Sequence, residues 1–126
     1  MRFLLILTLA VLIYAHHTMG MTALEETAWD VRVGRAPFFP FARKDTLSFG
    51  RGRFVSARAL ADGYTPAGYR PVQGGGAWQA RQKSPDGGVL EWTGRVRGDR
   101  IRGTLTVVRA DGAAKTYTFR GRRRGV

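Results

Sequence analysis

The chain has 126 residues and no cysteine, and it carries 21 Lys and Arg against 9 Asp and Glu, a net charge of +12. Such a length holds one domain with one core, and the missing cysteines exclude disulfides, thiol catalysis, zinc–cysteine sites and lipid attachment through an N-terminal cysteine. The basic excess predicts affinity for anionic surfaces, although Arg outnumbers Lys 18 to 3, a bias that GC-rich codons also produce.

Met1-Arg2 gives a positive start, and residues 3–15 are apolar apart from one threonine. As a helix that run spans about 20 Å, short of the roughly 30 Å hydrocarbon core. Residues 1–23 therefore read as an export signal, cut after Gly20 or Ala23, with an uncleaved anchor as the alternative. The expected location is periplasmic or extracellular. His16 and His17 fall in the removed segment, which leaves residues 24–126 with neither histidine nor cysteine.

Residues 29–33 alternate, with Trp29, Val31 and Val33 facing inward. Residues 36–41 follow, where Pro37 and Pro40 bar a central strand. That leaves a loop carrying Phe38, Phe39 and Phe41 to pack over a barrel mouth. Residues 45–49 and 53–58 predict a hairpin about Gly50-Arg51-Gly52. Gly and Pro recur from 61 to 76, an irregular connection with a short strand near Tyr69. Four more strands, 77–83, 89–96, 100–108 and 115–121, are joined by turns at 84–88, Gly98-Asp99 and Asp111-Gly112. Seven to eight short strands without helical periodicity predict an all-β fold: a single antiparallel up-and-down barrel. A signal helix precedes it, and Arg122-Arg123-Arg124 forms a short basic tail.

Three segments carry a resemblance: D-x-L-x-F-x-x-G-x-F from Asp45 to Phe54, W-x-G-x-V-x-G-D-x-I-x-G-T from Trp92 to Thr104, and Y-x-F-x-G from Tyr117 to Gly121. The pattern resembles small exported bacterial proteins with a lipocalin-like (calycin-type) barrel, most of them without assigned biochemistry. The resemblance implies that fold across residues 28–122. Lipocalins carry G-x-W on the first strand; here Thr27-Ala28-Trp29 keeps the Trp and lacks the Gly. Avidin-type barrels share the rhythm of residues 99–104, but no avidin ligand constellation maps onto this chain, and biotin binding is not implied.

Strand parity divides the side chains. Leu90, Trp92, Gly94 and Val96 point in, as do Ile101, Gly103, Leu105, Val107, Tyr117, Phe119 and Gly121, with Trp78 and Ala80 upstream. Arg95, Arg97, Arg100, Arg102, Arg120 and Arg122 point out, among Glu91, Thr93, Thr104, Thr106, Thr116 and Thr118. Two candidate sites follow. One is the barrel interior and mouth, built from Trp29, Phe38, Phe39, Phe41, Trp78, Trp92 and Tyr117, for a small apolar or amphipathic ligand. The other is the outward arginine face, for an anionic envelope polymer, lipid head groups or a partner protein; solvated arginines that keep a barrel soluble are its ordinary explanation.

Catalysis is not expected. Asp30, Asp45, Asp62, Asp86, Glu91, Asp99 and Asp111 stand singly, several in turns where Asp is a structural choice. Ser48 and Ser56 lack a base, and no metal spacing occurs. Arg97-Gly98-Asp99 spells an adhesion tripeptide, but a tight turn demands its Gly-Asp. Gly74-Gly75-Gly76 has no following helix to make it a phosphate loop. The sequence thus predicts a non-enzymatic exported protein without a cofactor, a metal or a specific nucleic-acid partner. The leading role is ligand binding in the barrel, and the alternative is docking through the arginine face.

Overall fold

Alternation of apolar and polar residues gives each segment one face to bury, and eight such segments close on themselves. The computed structural model describes residues 24–35, 42–72 and 76–125. The expected export signal over residues 1–23, the expected loop with Phe38, Phe39 and Phe41, and Gly74 and Gly75 lie outside the described residues.

The strands are β1 (Thr27–Gly34), β2 (Arg43–Gly50), β3 (Arg53–Ser56), β4 (Ala67–Pro71), β5 (Ala77–Lys83), β6 (Val89–Arg97), β7 (Arg100–Val108) and β8 (Ala114–Arg123). They form a closed antiparallel barrel in which each strand neighbours the next and β8 returns to β1. The short strand expected near Tyr69 is β4, which brings the number to eight.

The hairpins follow from their turn residues. At the β2–β3 turn Arg51 and Gly52 both take positive φ, 53° and 71°, the pairing that suits a two-residue hairpin between twisted strands. Gly98 turns β6 into β7 with φ 58°.

Six rings fill the middle of the barrel. Phe49, Phe54, Tyr69, Trp78, Trp92 and Phe119 form a chain of contacts with centroids 4.9–6.1 Å apart, the range of favourable aromatic packing. The Trp78 ring presses so closely on β6 that a Cβ at Gly94 would sit 2.5 Å from it. A Cβ at Gly103 would lie 2.0 Å from the Thr93 carbonyl oxygen and 2.7 Å from the Phe119 ring. These two glycines are therefore notches that admit the rings and let neighbouring strands close up. Gln82, buried on β5, accepts from Trp92 Nε1 at 2.9 Å and donates to the Thr65 carbonyl at 3.1 Å. Trp78 Nε1 is buried with no acceptor among the described residues.

One end of the barrel is sealed by the segment before β1. Leu24 is buried there, and Glu25 Oε1 accepts from Gly52 N at 2.8 Å and from the Tyr69 hydroxyl. The Tyr69 hydroxyl and the Gly52 amide hold the Glu25 carboxyl below its usual range, while burial and Glu25 push Tyr69 up.

Two expectations are corrected. The strand expected over 53–58 stops at Ser56, and a one-and-a-half-turn helix, α1 (Ala57–Ala61), follows. Ser56 caps it, accepting from Ala59 N at 3.1 Å, because a β-region serine hydroxyl satisfies an otherwise orphaned first-turn amide. The basic C-terminal run is also not a loose tail. β8 extends to Arg123, whose amide donates to the Asp99 carbonyl at 2.8 Å, and Arg124 N donates to the Ala28 carbonyl at 2.8 Å.

Trp92 is 2% exposed and touches Phe54, Phe119 and Gln82. Trp92→Ala should cost about 3–5 kcal/mol, a large share of the roughly 5–15 kcal/mol that holds a small domain. Gly103→Ala should cost about 1–3 kcal/mol by overpacking. Chemical denaturation measures both, and a loss below about 1 kcal/mol for Trp92→Ala would contradict the packed interior.

Candidate anion-binding face and barrel mouth

Register decides which outward side chains become neighbours. Across β6, β7, β8, β1 and β2, Arg95 stands opposite Arg102, Arg102 opposite Arg120, Arg120 opposite Arg32, and Arg32 opposite Lys44. A second row sets Arg97 opposite Arg100, Arg100 opposite Arg122, and Arg122 opposite Asp30. Neighbouring strands are about 4.8 Å apart, so side chains opposite one another on the wall are near neighbours and like charges on them repel. Like charges directly opposite are unfavourable on a sheet; here they recur strand after strand. All eight basic residues are exposed.

Asp30 is the single acidic residue the register sets against either row. Its carboxylate is taken by Arg124, which donates through Nε at 3.2 Å and through Nη2, and which also reaches the Thr46 hydroxyl at 3.2 Å. That fork holds Asp30 below the usual carboxylate range, by hydrogen bonding first and charge second.

Beside the first arginine row, on the side away from the Gly98 turn, runs a row of hydroxyls: Thr93 opposite Thr104, and Thr104 opposite Thr118. Between the Arg and Thr rows lies a trough of about 760 Å3 whose floor is backbone at Gly94, Gly103 and Phe119. A second trough, about 560 Å3, lies between the two arginine rows.

The predicted interior site divides. Trp29 and Trp78 are 1% and 0% exposed and belong to the packed core. Trp92 and Tyr117 help line a recess of about 430 Å3 at the end opposite the Glu25 seal. Its floor is Leu90, Trp92 and Leu105, its wall Val33 and Tyr117, and Arg43, Arg58 and Asp62 stand at its polar rim. Asp45, one of the scattered acids, is not in a turn. It is buried in β2 beside this recess and accepts from Ser56 Oγ, from Thr46 N at 2.7 Å and from Arg58 N at 3.1 Å. Among the described residues no group of three His, Cys, Asp or Glu side chains is placed to hold a metal ion.

The six arginines expected on one face are brought together. Arg32 and Lys44 escaped the sequence reading, because they join the row only through the closure of β8 on β1. The alternation of residues 29–33 does put Arg32 outside, but nothing in the sequence sets its height against Arg120. Comparison with protein-family models, with curated proteins and with solved structures gives no match.

Because Asp30 is held low, the stability it contributes is fully present above its ordinary pKa of 3.8 and is lost as pH falls through the depressed folded-state value. Arg124→Gln should return the Asp30 titration toward 3.8 and remove this dependence. Carboxyl chemical shifts followed through an acid titration measure it, and an unmoved Asp30 would refute the Arg124 fork.

Proposed function

We propose that this is a non-enzymatic exported barrel whose outward basic rows hold an anionic polymer of the cell envelope. The observation that supports this reading is the uninterrupted row Arg95, Arg102, Arg120, Arg32 and Lys44. Each arginine presents a planar fork that pairs with carboxylate, sulfate or phosphate oxygens. An anion lying along the row relieves the repulsion between its members. The row crosses five of the eight strands of a closed barrel, so it curves around the wall. A flexible chain can follow such a curve, whereas a flat bilayer meets only its crest. Residues 1–23, read as an export signal, would deliver the barrel to such a polymer.

Replacing Arg95, Arg102 and Arg120 together by Gln should weaken binding to heparin and to inorganic polyphosphate at least tenfold at low salt without unfolding the barrel. Binding by the parent should fade as screening shortens from roughly 30 Å at 0.01 M to about 8 Å at physiological salt. Lys44 belongs to the row, so the distant controls are Lys83 and Lys115, near the opposite end of the wall. A diffuse charge effect would make Lys83→Gln with Lys115→Gln as harmful, per charge removed, as the triple change. That outcome, or an undiminished triple variant, would refute the docking face.

The mouth recess supports a second reading, the binding of a small amphipathic ligand. Its volume lies within the range of small-molecule sites, and an apolar floor under a charged rim suits such a molecule. Leu105→Trp should fill the recess and abolish uptake of a fluorescent apolar probe that the parent binds. Equal probe fluorescence with both proteins would rule this reading out.

A further inference from the structure

We infer that the occupant of the basic face is a linear acidic polysaccharide, seated in the trough between the arginine and threonine rows. The inference rests on the docking reading above and narrows it to one class of polymer. The two walls of the trough differ in chemistry. On one, Arg95, Arg102 and Arg120 present charged forks; on the other, Thr93, Thr104 and Thr118 present hydroxyls, with open floor between them. The Thr118 hydroxyl donates to the Gly34 carbonyl at 3.3 Å, while Thr93 and Thr104 are exposed and make no side-chain hydrogen bond among the described residues. A hydroxyl both donates and accepts, which matches the hydroxyls of a sugar ring. A uronate or sulfated sugar chain carries acid groups and hydroxyls along its length and can turn one kind to each wall.

The same surface argues against other polyanions. Every described aromatic ring of β6, β7 and β8 belongs to the inward set, so the trough offers no platform on which bases could stack, as single-stranded nucleic acids require. Among the described residues no helix or projecting ribbon stands there to enter a duplex groove. Polyphosphate offers only acceptor oxygens, so it would use the threonine hydroxyls as donors alone, whereas sugar hydroxyls match both their donor and acceptor capacity. The trough crosses three strands, about 10 Å from the axis of β6 to that of β8 at about 4.8 Å per strand, which suits an extended chain better than a compact anion.

The test is Thr93→Val with Thr104→Val in the full chain. Both sites are exposed strand positions where valine is well tolerated, and a thermal melt equal to the parent's verifies the fold. Four probes are titrated at low salt: polygalacturonate, heparin, inorganic polyphosphate and a single-stranded oligonucleotide. The parent should bind polygalacturonate or heparin. The double variant should lose on the order of tenfold on that polymer, the effect of one or two ordinary hydrogen bonds, and less than twofold on polyphosphate. Loss on polygalacturonate alone assigns a carboxylated chain, loss on heparin alone a sulfated one, and loss on both an acidic sugar chain of either kind. Equal loss on polyphosphate, or no loss on either polysaccharide, overturns the inference and leaves the docking face standing. Tightest parent binding to the oligonucleotide or to polyphosphate overturns it too. A parent that binds none of the four polymers sinks both readings. If the variant melts well below the parent, Thr93→Ser with Thr104→Ser replaces it, and retained polysaccharide binding there supports the hydroxyl wall while its loss refutes it.

Discussion

Trp78 lying against a bare stretch of β6 is the contact around which the barrel is arranged. A ring that size reaches the middle only if the neighbouring strand gives way, and Gly94, its register partner on β6, supplies the space that a Cβ would close to 2.5 Å. Gly103 does the same for Phe119. With the rings seated, a one-residue slip of β6 or β7 would turn the notches outward and drive Thr93 or Thr104 into the aromatic stack, because side-chain period in a strand is two. Packing thus fixes register, and register fixes which charges meet on the outside. The buried Trp78 Nε1, without an acceptor among the described residues, is the polar cost of this arrangement.

Closure needs more than ring packing, since the seam between β3 and β4 is held by two register pairs, Arg53 with Gly68 and Phe54 with Ala67. The chain reinforces it from both ends. Glu25 ties the β2–β3 turn to Tyr69 on β4. At the other end Ser56 donates to Asp45 and caps α1, so the short helix is anchored to β2 as β3 ends. These polar ties lie where strand pairing is sparse. That follows from the need to satisfy backbone and side-chain groups wherever the ladder runs out.

Much of this was legible in the sequence, and the parts that were not share a cause. Period-two alternation placed Trp78, Leu90, Trp92, Ile101, Leu105 and Phe119 inside and the six arginines outside, as the barrel has them. Local turn chemistry marked the hairpins, since Gly98, Gly112 and the Arg51-Gly52 pair need unusual φ. What escaped was long-range. A five-residue helix has too few positions to show a period and exists because of its cap. Arg124 finds Asp30 only after β8 closes on β1, so the basic run looked like a free tail. The division of the interior into a packed middle and a recess at one mouth depends on summed side-chain volumes, which alternation does not encode. Nor did the sequence set Arg32 and Lys44 level with Arg120.

A codon bias toward arginine explains how many basic residues the chain has but not where they stand. Mutation pressure acting on solvent-facing positions has no means of telling one height of the wall from another. Yet the outward positions of β6, β7 and β8 are sorted by height. Nearest the Gly98 turn they are Arg97, Arg100 and Arg122, and one pair further along Arg95, Arg102 and Arg120. Beyond those the arginines stop: Thr93, Thr104 and Thr118 form the next rank, then Glu91, Thr106 and Thr116. Solubility alone favours interspersed charge of both signs, and like charges set opposite one another work against the sheet that carries them. Composition and solubility alone do not account for an arrangement that gathers repelling groups in two adjacent ranks, adjoins them to a rank of hydroxyls and leaves an open trough between, and this ordering supports the proposed docking face.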